Sequence, residues 1–248
     1  MRILVTGSTG YIGSQLVQRL SQMPFQIRCL ARDPDRIKDI KNTSIEIRRG
    51  DLLSYDGLRE SFKGIDVAYY LVHSMNSKND FERLECEAAK NFAQAAVENK
   101  VKRIIYLGAL GSEKEGALSP HLQSRKKVGN ILRDSGVQVI EFQASIILGA
   151  GSLSYEMIKA LSEKLLVMIM PKWVSVKAQP ISIKDVLDYL IQAIDLKVER
   201  NEIYEIGGPD QVSYKELIQE YSRQRGLKRF LIPVPVLTPW LSSLWLAL

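Results

Sequence analysis

Three glycines near the start of the chain constrain its fold more than any other feature. Residues 2–13 read Arg-Ile-Leu-Val-Thr-Gly-Ser-Thr-Gly-Tyr-Ile-Gly, with glycines at 7, 10 and 13. A short apolar run at 3–5 precedes them, and an amphipathic stretch through Tyr11, Ile12, Leu16, Val17 and Leu20 follows. Strand, tight turn and helix in that order make the first part of a dinucleotide-binding βαβ unit. In such a unit Gly7 permits the sharp turn off the strand, Gly10 lets backbone approach a pyrophosphate, and Gly13 lets the helix pack closely. The helix start adds free N–H groups and roughly half a positive charge. A glycine-rich turn that only packs is the alternative, and its position between a strand and a helix speaks for binding.

The rest of the chain keeps the same alternation. Apolar strand candidates fall at 3–5, 26–30, 45–47, 67–72, 103–107 and 137–142, with helical patterns at 11–23, 55–62, 80–99 and 122–135 between them. The longest helix carries Phe81, Leu84, Ala88, Phe92, Ala95 and Ala96 at a 3.6-residue period. Near-continuous apolar strands separated by helices predict a parallel sheet covered on both faces. With right-handed crossovers the fold class is α/β, a doubly wound parallel Rossmann sheet with a small C-terminal cap. The core is expected over 1–145. A cap and substrate-side segment completing the same domain is expected over 146–229, with helices near 154–166 and 214–225, a segment 180–186 leading into a helix that ends at about 195, and a short strand at 202–206. An apolar tail, 230–248, comes last.

Prolines 233, 235 and 239 break that tail, and its uninterrupted end is far short of the ~20 residues a membrane span needs. It is read as buried, or as a docking surface for a protein partner or further domain, with a truncated continuation explaining the Leu-Trp-Leu-Ala-Leu ending. No transmembrane span is expected. Cys29 and Cys86 have no metal-ligand spacing and read as thiols of a reducing compartment, so no metal is expected. The chain enters its first strand at residue 2 without a leader, and a cytoplasmic location is expected. A net charge of +6 comes from small basic groups interleaved with acids and lacks an aromatic ladder. It fits a solvated surface with some attraction for a phosphorylated ligand, and no nucleic-acid partner is expected.

The second strand bears on which nicotinamide dinucleotide fits. An NAD site places an acidic residue at its end for the ribose 2′-hydroxyl, whereas this chain reads Cys29-Leu30-Ala31-Arg32-Asp33-Pro34. Arg32 stands where a guanidinium pairs with a 2′-phosphate, so NADP(H) is favoured over NAD(H). In the alternative, Asp33 takes the ribose and Arg32 is merely solvated. Asp51 and Leu52 follow the third strand, with Asp51 placed for the adenine amino group. Val72, His73 and Ser74 end the fourth strand beneath the ribose and pyrophosphate. Thr9, Tyr11, Ile12 and Ser145 complete the expected cofactor set.

These stretches resemble the atypical short-chain dehydrogenases/reductases, in particular the NmrA-like NAD(P)-binding branch. That branch includes nucleoside-diphosphate-sugar epimerase-like proteins and the Rossmann accessory subunit of respiratory complex I. The resemblance rests on Thr-Gly-Ser-Thr-Gly-Tyr-Ile-Gly (6–13), Ala-Arg-Asp-Pro (31–34), Gly-Asp-Leu (50–52) and Tyr-Tyr-Leu-Val-His-Ser-Met (69–75). It extends through Arg-Ile-Ile-Tyr-Leu-Gly (103–108), Ser-Pro-His-Leu-Gln-Ser-Arg (119–125) and Tyr-Glu-Ile-Gly-Gly-Pro-Asp (204–210). It implies relatives that continue past this C-terminus into a further domain.

The resemblance also implies a Tyr-x-x-x-Lys pair, in which tyrosine exchanges the substrate proton and lysine holds the nicotinamide ribose. Here the matching place reads His121-Leu-Gln-Ser-Arg125, no tyrosine occurs between 107 and 154, and Gly108-Ala109 replaces the assisting serine. Imidazole is the side chain whose ordinary range suits proton exchange near neutral pH, so His121 is the candidate proton carrier, with Arg125 as its ribose-binding partner. His121 packing or capping at a helix start is the alternative. A literal Tyr155-Glu-Met-Ile-Lys159 lies elsewhere and is read as chance. Two functions remain open. One is an NADP(H)-dependent oxidoreductase on an unknown small molecule, with His121 and Arg125 in place of the usual pair. The other is a non-catalytic cofactor-binding redox sensor or stabilising subunit. Sugar-nucleotide epimerisation is weaker because it too needs the absent tyrosine.

Overall fold

The computed structural model describes residues 1–37, 44–73, 80–111 and 119–234 of the 248. Its strands and helices follow the apolar pattern closely. They run β1 (Arg2–Thr6), α1 (Tyr11–Leu20), β2 (Gln26–Ala31), β3 (Ile45–Arg49), α2 (Tyr55–Ser61), β4 (Val67–Tyr70), α3 (Phe81–Glu98), β5 (Arg103–Ala109), α4 (Pro120–Arg133) and β6 (Gln138–Ala144). Short strands β7 (Ile147–Leu148), β8 (Val167–Met170), β9 (Lys177–Ala178) and β10 (Ile181–Ser182) come next, with α5 (Leu153–Lys164) between β7 and β8. Then follow α6 (Ile183–Gln192), β11 (Glu202–Ile206), β12 (Val212–Ser213), α7 (Tyr214–Gln224) and β13 (Phe230–Pro233).

Seven strands form one sheet in the order β11-β6-β5-β4-β1-β2-β3, and every pairing in it is parallel. Successive side chains of β4 show why both faces are covered. Ala68 and Tyr70 join the core beneath α2, α3 and α4, where the Tyr70 ring meets Phe92 edge-on at 4.9 Å. Tyr69 points the other way, and its hydroxyl donates to the Leu190 carbonyl of α6 at 2.8 Å. On that face Arg19 of α1 pairs with Asp188 of α6 at 2.5 Å. This is the doubly wound arrangement expected.

The chain divides into two compact units, Met1–Ala144 with Lys184–Ile206, and Ser145–Ile183 with the chain from Gly207. The boundary therefore differs from the expected 1–145 and 146–229. The strand at 202–206, expected in the cap, instead closes the sheet beside β6, with Glu202 opposite Ile140 and Ile206 opposite Ala144. The reason is visible in its alternation: Glu202, Tyr204 and Ile206 share the more buried face while Ile203 and Glu205 are exposed, a mixed pattern that alone does not reveal which sheet the strand joins.

The second unit has its own small core of Ile158, Met168, Met170, Val174 and Ile218, where α5 and α7 pack together. Its strands pair as β7 with β10, β8 with β13 and β9 with β12. A capping box, Ser213 with Glu216, starts α7. Of the apolar tail, residues 230–233 form β13 beside β8, and 235–248 lie outside the described residues. Among the described residues no helix is long and apolar enough to cross a membrane, and no three His, Cys, Asp or Glu side chains gather to hold a metal.

Candidate dinucleotide site

The strand order reverses at β1, which has β2 on one side and β4 on the other. An open parallel sheet leaves a crevice beyond the carboxyl ends of its strands at such a point. A groove of about 530 Å³ lies there, walled by the β1–α1 turn, the ends of β2 and β4, the loop after β3 and one face of α3.

The glycines of the turn have separate physical reasons. Gly7 has φ +72°, and a Cβ on it would stand 2.4 Å from the Leu71 carbonyl oxygen. A Cβ on Gly13 would come within 2.2 Å of the Gly7 carbonyl oxygen, so α1 packs on its own turn there. Gly10 is different. Its Cβ would meet only the Gly7 carbonyl oxygen, at 3.2 Å, while the residue itself lines the groove.

Gly10 is also the N-cap of α1, makes no side-chain cap bond, and is followed by a first turn without an acidic residue. By contrast the starts of α4, α5 and α7 are capped by the hydroxyls of Ser119, Ser152 and Ser213. The uncapped N–H groups of α1 thus retain their affinity for an anion.

Of the residues expected to hold a dinucleotide, Gly7, Thr9, Gly10, Arg32, Asp51, Leu52, Val72 and His73 are brought together around the groove. Tyr11, Ile12 and Gly13 form the first turn of α1 and shape the groove without lining it. The Tyr11 hydroxyl is buried with no hydrogen-bond partner among the described residues. Arg32 is exposed at the end of β2 and forms no ion pair among the described residues. Asp51 turns one carboxylate oxygen onto the Leu53 N–H at 3.0 Å. Ser145 is exposed, just past β6 and in the second unit. Ser74 lies outside the described residues.

Neither His121 nor Arg125 lines the groove. The Arg125 guanidinium donates to the Leu107 carbonyl and lies 5.4 Å over the Tyr106 ring. The Arg125 carbonyl in turn accepts the Tyr106 hydroxyl at 3.0 Å. These contacts hold the guanidinium against β5. His121 is exposed, its ring 5.0 Å from that of His73 and 5.1 Å from that of Phe81.

The groove wall holds one ionisable group that sequence reasoning passed over. Glu85 of α3 is 5% exposed. One of its carboxylate oxygens lies 2.6 Å from His73 Nδ1 and the other accepts the Ser124 hydroxyl of α4. Its signal was present, since Glu85 falls four residues after Phe81 and three before Ala88, on the apolar stripe of its helix.

The strand tyrosines offer no replacement for a catalytic one. Tyr70 and Tyr106 are pushed above the ordinary phenol value by burial, each with the other's or a neighbour's charge as a smaller influence. Burial also pushes the Cys29 thiol up to about 12, against a hydrogen bond from Ser8. In the second unit, Tyr155 packs edge-on against Tyr221 of α7 at 6.0 Å, and Lys159 pairs with Glu156 at 3.9 Å on the surface of α5.

A family model described as the NmrA-like family matches residues 1–238. The photosystem II assembly factor Ycf39 of Cyanophora paradoxa is 22% identical over 95% of this chain and 72% of its own length. Among solved structures, MoeE5 in complex with UDP-glucuronic acid and NAD superimposes with a TM-score of 0.80 at 19% identity, covering 95% of this chain and 86% of that one. The Citrobacter sp. triphenylmethane reductase complexed with NADP(H) gives 0.77 at 20% identity, covering 94% and 79%. At these identities the two structures establish the fold.

Proposed function

The chain belongs to the NmrA-like family, and from that premise we propose that it binds a nicotinamide dinucleotide in the groove, NADP(H) in preference to NAD(H), and acts as an oxidoreductase on a small molecule. The observation that carries the reading is Gly10, which lines the groove at the head of an uncapped helix. Gly7, Thr9 and Gly10 would hold the pyrophosphate, Asp51 and Leu52 the adenine, Val72 and His73 the floor beneath the ribose, and Arg32 a 2′-phosphate. The two structural neighbours were solved with NAD and with NADP(H), and the exposed guanidinium of Arg32 favours the second here.

When bound, NADPH supplies a hydride. This chain's part is to orient the dinucleotide and to move a proton, and His121 is the group proposed to carry it. The Arg125 guanidinium is committed to Leu107 and Tyr106, so its role is to seat α4 rather than to bind the ribose. That same commitment favours a second reading, binding without turnover, which fits a relative that is an assembly factor.

Calorimetric titration of the chain with NADPH and with NADH tests the reading. Binding of NADPH at least tenfold tighter than NADH is expected, and failure to bind either overturns it. Consumption of NADPH with a carbonyl acceptor, lost in His121→Ala, separates the oxidoreductase from the binding protein.

A further inference from the structure

We propose that Glu85 is a positioning residue that fixes His73 as the Nδ1–H tautomer and so leaves Nε2 as the proton-accepting nitrogen of the groove. The geometry has three parts. The Glu85 carboxylate is buried at 5% exposure in α3, and charge so placed needs donors around it. The Ser124 hydroxyl supplies one from α4. His73 Nδ1, at 2.6 Å, supplies another only if it carries the hydrogen. An ionised carboxylate accepts and cannot donate, so the Nδ1–H form is the one that satisfies it.

With Nδ1 occupied, Nε2 of His73 has no hydrogen-bond partner among the described residues, although the ring lines the groove and its side chain is 27% exposed. A proton taken up at Nε2 converts the ring to imidazolium beside the Glu85 carboxylate. The His121 ring at 5.0 Å is then the adjacent proton exchanger, and two imidazolium rings so close repel one another. Through Ser124, the same carboxylate ties α4, which bears His121, to α3. One buried group thus sets the tautomer of the histidine in the groove and the seating of the helix that carries the other.

The assignment rests on the dinucleotide reading only for its effect on binding; the tautomer belongs to the protein alone. His73 and His121 are the chain's 2 histidines, so nitrogen-15 labelling of histidine gives two resolvable rings whose couplings report the tautomer directly. In the wild-type chain, His73 is expected as Nδ1–H. In Glu85→Gln, whose amide both donates and accepts, His73 is expected as a mixture of tautomers, with NADPH affinity down by about tenfold, the lower end of what losing a histidine's outer partner does elsewhere. Wild-type His73 found as Nε2–H overturns the proposal, and that result needs no variant to fold. So does a Glu85→Gln chain in which either the tautomer or the NADPH affinity is unchanged. If wild-type protein shows no NADPH binding at all, the groove reading falls, and the tautomers of the two chains alone decide for or against Glu85.

Discussion

The Cβ that Gly13 lacks would stand 2.2 Å from the carbonyl oxygen of Gly7. Gly10, between them, is less crowded: a Cβ there would make one tight contact, with that same oxygen at 3.2 Å. Alanine at the two positions is therefore expected to separate fold from ligand. Gly13→Ala should lower stability by about 1–3 kcal/mol, the range for forcing a methyl into filled space, as read from urea midpoints. Gly10→Ala should lower stability by about 1 kcal/mol or less and weaken NADPH by at least about tenfold, or 1.4 kcal/mol.

Arg32 faces the groove edge without an ion pair among the described residues, so its removal should cost the fold nothing. A hydrogen bond to a charged group contributes about 1.5–3 kcal/mol. Arg32→Ala is expected to weaken NADPH by a factor in the range of roughly ten to one hundred, with NADH binding unchanged. An equal loss for both dinucleotides, measured by calorimetry, would assign Arg32 to the shared part of the molecule.

Glu141 sits in the middle of β6 at 1% exposure, paired with Arg133 of α4 and accepting Gln143 Nε2 at 2.8 Å. Gly108 and Gly129 make room for it, since a Cβ on either would fall within 2.9 and 2.7 Å of its carboxylate. Arg133→Ala leaves a buried charge without its cation and should destabilise by about 3–5 kcal/mol. Replacing both partners, Arg133→Ala with Glu141→Leu, should recover part of that loss in a thermal melt.

Asp66 is held below its ordinary value of about 3.9, first by the Arg2 N–H and then by Lys102, each donating at 2.9 Å. Unfolded chains bind its proton at a higher pH than folded ones do. Its contribution to stability is therefore present above about pH 4 and disappears as pH falls through the lowered folded value. Asp66→Asn should unfold more easily at pH 6, and its urea midpoint should fall less steeply between about pH 4 and pH 2 than that of the wild type.

The sequence shows the groove more fully than it shows the chemistry beside it. Turn glycines, a strand-ending Arg32 and the Gly-Asp-Leu after β3 are local signals, because each residue's job depends on neighbours a few positions away. The elements 11–20, 81–98 and 120–133 were legible for the same reason, their apolar faces repeating every 3.6 residues. Arg125 was not. Its spacing from His121 places both on α4, but the Leu107 carbonyl and Tyr106 ring that capture its guanidinium come from β5, and no local pattern announces that choice. Glu85 and Glu141 lay open to reading as acids on apolar stripes, yet their partners 12, 39 and 8 positions away appear only once the helices are packed.

The late return of α6 and β11 to the first unit sets an order on synthesis. When the ribosome has delivered β6, the segment 145–183 must still emerge before Lys184–Ile206 can join the sheet. Until then β6 has no neighbour on its outer side, and the Tyr69 hydroxyl lacks the Leu190 carbonyl that receives it. A nascent chain paused in this interval presents an unpaired strand edge, the kind of surface that recruits chaperones or stray strands. The seven-stranded sheet is thus finished after the groove beside β1, and the chain between 145 and 184 is made while one edge of that sheet still awaits its last strand.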